Sequence, residues 1–154
     1  MFAQRPTLTL LRIALLAILL IGLAGIEVEL FLIKHTEGIW ELTPILLVGL
    51  AILIVAWCAW RPTPVGLRAM QAMMLLFLLN GVVGVFIHFR ANVNWEHESN
   101  PSLGGSELYM KALMGATPLL APGTMIQLGL VGLAFAFRHP AFAGSGNLSS
   151  NEET

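Results

Sequence analysis

Charge is scarce in this sequence. Only 11% of its 154 residues are Asp, Glu, Lys or Arg, against about 25% in a soluble domain. With 56% hydrophobic residues and a mean hydropathy of +0.79, this scarcity excludes an ordinary soluble domain and a disordered polar chain. The eight Lys and Arg residues form no run, so nothing tracks a phosphate backbone and a nucleic-acid binder is excluded. Cysteine is nearly absent. Cys58 alone cannot close an internal disulfide or build a cysteine metal cluster. No HExxH, GxSxG or Walker-type pattern occurs, and no nucleophile–base pair stands out. The reading therefore leans away from an enzyme.

What is present is long apolar runs. A helix needs about 20 apolar residues to cross a ~30 Å hydrocarbon core. Residues 8–33, 42–60, 69–89 and 117–137 meet that need, the first interrupted by Arg12, Glu27 and Glu29. The expected fold is all-α: an integral membrane four-helix bundle, one domain over residues 1–140. A Gly/Ser/Asn-rich stretch is expected to make residues 141–154 a disordered cytoplasmic tail. The lipid bilayer is the first partner this implies.

Lys and Arg placement sets the orientation. Arg5, Arg12, Arg61, Arg68 and Arg138 fall on one side of the expected spans, and Lys34, Arg90 and Lys111 on the other. Five against three places both termini in the cytoplasm. Trp57 and Trp60 mark the inner boundary and Trp40 the outer one. A cleaved signal peptide is the competing reading of the first run, with Gly22-Leu23-Ala24 as the small-x-small site. The apolar run resumes at Leu30, which favours a retained span.

The acids and imidazoles gather outside. Seven of the nine carboxylates and three of the four histidines lie at or beyond the outer boundary. Seven carboxylates against three cations leave that side at −4, while five arginines against Glu152 and Glu153 leave the inner side at +3. Two patterns could ligate a divalent metal: His35 with Glu37, and Glu96, His97 and Glu98. In an extended segment Glu96 and Glu98 would share one side and His97 the other, so the set would need both patterns together. A solvated acidic loop is the plainer reading. That outer loop spans residues 90–116, and Ser106 reads as the cap of a short interfacial helix beginning there.

Two helical stripes match. Gly22, Gly25 and Glu29 stand at i, i+3 and i+7, and so do Gly81, Gly84 and His88. Small residues allow close helix approach in lipid, so the two stripes are expected to pack together with Glu29 and His88 at similar depth. Asn80 extends the second stripe, and Gln127 adds a polar group to the fourth span. Glu27 and Glu29 lie about 200° apart on a helix. Glu29, on the glycine face, is taken as the inward one. The fourth span starts in broken fashion, with Pro118, Pro122 and Gly123. Such a start can mark a binding site in a transporter, or only a proline-rich first turn in the headgroup region.

His35-Thr36-Glu37-Gly38-x-Trp40 and Gly115-Ala116-Thr117-Pro118-x-Leu120-Ala121-Pro122-Gly123 resemble segments of small four-span bacterial inner-membrane proteins of uncharacterised function. The resemblance implies a bacterial inner membrane and brings no activity. Three functions are compatible with these residues. The first is a protein that binds or passes a cation or proton at an outer Glu/His site. The alternative is an accessory subunit packing with a larger membrane partner, a reading that a stable homo-oligomer, the other partner considered, would count against. The second alternative is a b-type haem protein with His88 and His35 as axial ligands.

Overall fold

The computed structural model describes residues 4–33, 38–115, 117 and 119–145. Among these residues five α-helices carry the fold: α1 (Gln4–Leu32), α2 (Ile39–Trp60), α3 (Pro64–Ser99), α4 (Gly105–Leu113) and α5 (Leu120–Ala136). A 3-10 turn, Pro140–Ser145, follows. No strand occurs among the described residues. Among the described residues three helices are long and apolar enough to cross a membrane, through Pro6–Leu32, Leu42–Trp60 and Pro64–Ser99. Only 17, 28 and 22% of their apolar windows is buried in the protein. The remaining apolar surface needs an apolar solvent, and lipid supplies it.

The helix ends depart from expectation in four places. The first is α3, which runs on to Ser99 instead of stopping near residue 89. Residues 90–99 contain no glycine or proline, and Pro101 is the first breaker after them. Residues 90–99 of the expected outer loop are therefore part of α3. At the second, α5 begins at Leu120 and has 17 residues, which makes it shorter than the expected fourth span. Pro122 sits in its first turn, where backbone N–H groups have no helical partner and proline forfeits nothing.

The third departure is α2, which starts at Ile39 and takes Pro44 inside itself rather than as its first residue. The Thr43 hydroxyl donates to the Ile39 carbonyl at 3.1 Å, next to that interruption. At the fourth, Gly104 and not Ser106 occupies the cap of α4. The chain enters this helix through Gly105 at φ 61°, a left-handed conformation that glycine adopts without strain. Residues 141–145, expected to be disordered, lie in the 3-10 turn Pro140–Ser145, and residues 146–154 lie outside the described residues.

Packing divides the chain into two compact units, Met1–Leu76 with Leu128–Thr154, and Phe77–Gln127. In the first unit α1 buries Leu19, Leu23, Ile26 and Leu30, a stripe at spacings of four, three and four. Val48, Ala51, Val55 and Cys58 of α2 and Leu67, Met70 and Met74 of α3 complete that core. Gly132 of α5 meets the Met74 thioether so closely that a Cβ there would collide with it. Such approaches matter in lipid, where helices associate through packing and hydrogen bonds rather than by escaping water.

In the second unit α4 lies back on α3. Tyr109 stacks on Phe89 with ring centroids 6.2 Å apart. The buried Asn92 ties the following linker down. Its Nδ2 donates to the carbonyls of Ala112 at 3.0 Å and Thr117 at 2.9 Å, and its Oδ1 accepts from the Thr117 N–H at 3.0 Å. Gly115 lets this happen, since a Cβ there would stand 2.5 Å from the Asn92 Cγ. The short helix is thus docked on the protein by its own contacts.

Candidate functional site

Of the expected metal ligands, three are among the described residues, and these three do not converge on one point. Glu96, His97 and Glu98 lie in the last turns of α3, with Glu96 half-buried and the other two exposed. At about 100° per residue Glu96 and Glu98 point some 200° apart, so the helix undoes the shared side that an extended segment would have provided. His35 and Glu37 lie outside the described residues. Among the described residues no three His, Cys, Asp or Glu side chains are grouped to hold a metal ion. Of the two histidines expected for haem, only His88 is described; it is half-buried in α3 and engaged in an interaction of its own.

The glycine stripes meet α5. In the first unit a Cβ on Gly22 would lie 2.5 Å from a Leu128 methyl, while one on Gly25 would meet nothing within 4 Å. In the second unit a Cβ on Gly81 would lie 2.8 Å from the Pro122 carbonyl oxygen, and one on Gly84 would lie 2.8 Å from the Pro122 Cβ. The nearest neighbour of each stripe is therefore α5, not the matching stripe that the sequence suggested. Pro122 is buried at the bottom of this close approach, and Gly123 donates its N–H to the Leu119 carbonyl at 3.3 Å. The broken start of α5 is a packing element. Pro118 lies outside the described residues. Asn80 is half-buried and Gln127 is exposed.

The first helix reverses the choice between its two acids. Glu29 is exposed, and Glu27 is half-buried. Glu27 stands four residues after Leu23 and three before Leu30, on the leucine stripe that packs α1 against its neighbours. The glycines misled the sequence reading, because Gly25, the stripe member nearer Glu29, meets nothing within 4 Å while Leu23, Ile26 and Leu30 are buried. One carboxylate oxygen of Glu27, Oε1, would lie 3.7 Å from a Cβ on Gly49 of α2. The other, Oε2, is buried and has no hydrogen-bond partner among the described residues. That is ordinary van der Waals distance, so the carboxyl group lies beside α2 without crowding it.

A second polar place lies in the same unit and was missed altogether. An open pocket of about 240 Å³ is lined by Arg12, Leu16, Cys58, Ala59, Phe135 and His139, among others. The Arg12 guanidinium donates from Nη2 to the Arg138 carbonyl at 3.0 Å. Arg138 adopts φ 46°, a conformation unusual for a residue with a Cβ, and so presents that carbonyl. His139 packs against Phe135, with ring centroids 5.4 Å apart, and its Nδ1 accepts from the Ala141 N–H at 3.3 Å. Burial, and then the positive charge of Arg12, hold the His139 imidazole below the ordinary histidine range. The interruption of an apolar run by Arg12 was the available signal. Its pairing with residues near position 138 was not visible along the chain.

No protein-family model, curated protein or solved structure matches this chain.

Proposed function

We propose that this is a four-span bacterial inner-membrane protein that binds, and passes, a proton or small cation at Glu27. The observation that carries the reading is the buried, unpartnered Oε2 of Glu27 within the apolar stretch of α1. An ionisable group inside a membrane is costly and is a functional candidate by default. A carboxylate in that place needs a proton or a counter-cation, and no basic side chain among the described residues pairs with it. The sequence reading of a cation or proton site keeps its chemistry but changes its residue.

The remaining architecture follows the same reading. Helix α5 is the fourth crossing. Its 17 residues span about 26 Å at 1.5 Å each, and local thinning of the bilayer absorbs the few missing ångströms. An even number of crossings puts both termini on one side, and the arginine count makes that side cytoplasmic. Helix α4 then lies at the outer interface, where Tyr109 and Lys111 suit the headgroup region.

Carbodiimide labelling tests the site. Dicyclohexylcarbodiimide, an apolar reagent, attacks protonated carboxyl groups within membranes. In the full chain reconstituted in vesicles, mass spectrometry is expected to find the label on Glu27 in preference to Glu29. Labelling should fall in alkaline buffer, and in sodium if the sodium ion replaces the proton. Glu27→Gln should abolish it and should slow the decay of an imposed proton gradient. Equal labelling of Glu27 and Glu29, or labelling indifferent to both pH and sodium, would overturn the proposal.

A further inference from the structure

The pocket at the arginine end of the first unit has no part in the Glu27 site. Glu27 stands fifteen residues beyond Arg12 on α1, about 22 Å along the helix axis. Three features of the pocket point to one kind of ligand. Its walls are mainly apolar, from Leu16, Ala59 and Phe135. Arg12 places a guanidinium in it, and no carboxylate among the described residues forms an ion pair with that group. Its depth is marked by exposed Trp57 and Trp60, which flank Cys58 and Ala59, and by the Arg61 guanidinium 5.5 Å from the Trp60 ring centroid. Tryptophan and arginine side by side at a helix end belong to the headgroup layer. Arg61, Arg68 and Arg138 add three more positive charges in the same unit.

We infer that this pocket binds an anionic phospholipid. Arg12 takes the headgroup phosphate, and the first part of an acyl chain lies along the apolar wall. A guanidinium presents five N–H donors in a fixed fork suited to phosphate oxygens. Arg12 gives one of them to the Arg138 carbonyl, which holds its side chain in place and leaves the fork's charge uncompensated. A zwitterionic lipid carries its own cation beside the phosphate and would gain less from this field. A free phosphate would gain the charge but not the wall.

The test compares lipids on the full chain in a mild non-ionic detergent, with native mass spectrometry reading the retained adducts. Phosphatidylglycerol is expected to be retained about fivefold more than phosphatidylcholine. Arg12→Gln should remove that preference, Arg12→Lys should keep most of it, and Arg68→Gln should keep all of it. Ala59→Trp should also abolish retention, because it fills the pocket at an exposed position and leaves every charge in place. A monodisperse gel-filtration profile shows that each variant is folded.

Equal retention of the two lipids would overturn the proposal, as would unchanged retention in Arg12→Gln. Unchanged retention in Ala59→Trp would reduce the effect to diffuse surface charge and overturn the pocket. Complete displacement by inorganic phosphate would assign the place to a free anion instead. Lipid binding that appears only after removal of residues 146–154 would assign it to the chain's own acidic end.

Discussion

Asn92 and Glu27 are both polar side chains with buried polar atoms, and the protein treats them in opposite ways. Asn92 has three hydrogen bonds and is closed over by Gly115. Glu27 has a buried oxygen with no partner among the described residues. A saturated polar group stabilises the conformation that saturates it. An unsaturated one lowers stability and keeps its valence for something that arrives. On this difference rests the proposal that Asn92 serves the fold and Glu27 a ligand.

Removing each side chain should sharpen that contrast. Asn92→Ala leaves the Thr117 N–H and two carbonyls without their partner, at a cost of about 2–3 kcal/mol. The expected result is a lower unfolding temperature and faster proteolytic cleavage in the segment after α4. If Asn92→Ala were neutral in both measurements, the staple would have no energetic meaning. Glu27→Leu should act in the other direction, because it deletes an unsatisfied group on a face already lined by leucines. A gain of about 1 kcal/mol is expected, read as a higher unfolding temperature in the same detergent. A loss of similar size would show that Glu27 has a partner in the folded protein and would break the comparison.

The smallest effect concerns His139, a third polar group and an intermediate case. Its folded-state pKa lies below the unfolded value. The stability this represents is complete above the ordinary histidine pKa and is lost as pH falls through the lower, folded value. An NMR titration of its imidazole should show protonation below the usual histidine range. Arg12→Gln should move the midpoint only part of the way back, since burial is the larger cause. A complete return would make Arg12 the main cause.

The apolar runs were legible as helices because their length and composition are local properties. α1 and α2 appear within a few residues of where hydropathy put them. The end of α3 was misjudged because hydropathy stops at Arg90, while the backbone continues until a breaker intervenes. Asn92 had a faint signal: it stands four residues beyond His88, on the extension of the same stripe. Its three partners, twenty and more residues away, left no mark in any local pattern. The choice of Glu29 failed for a related reason. A glycine stripe shows where a close approach can occur, not where one does, and Gly25 stands in open space.

The sequence by itself determined the helical, apolar character of this protein and the uneven distribution of charge along its chain. These are sums over neighbouring residues, and transfer energies add along a chain. Only the tertiary structure decided which of two acids two residues apart has a buried oxygen, which glycines are closely approached, and that Arg12 meets Arg138 across 126 positions. Those outcomes depend on which face each helix turns to its neighbours, and that rotation is set by contacts between segments remote in sequence.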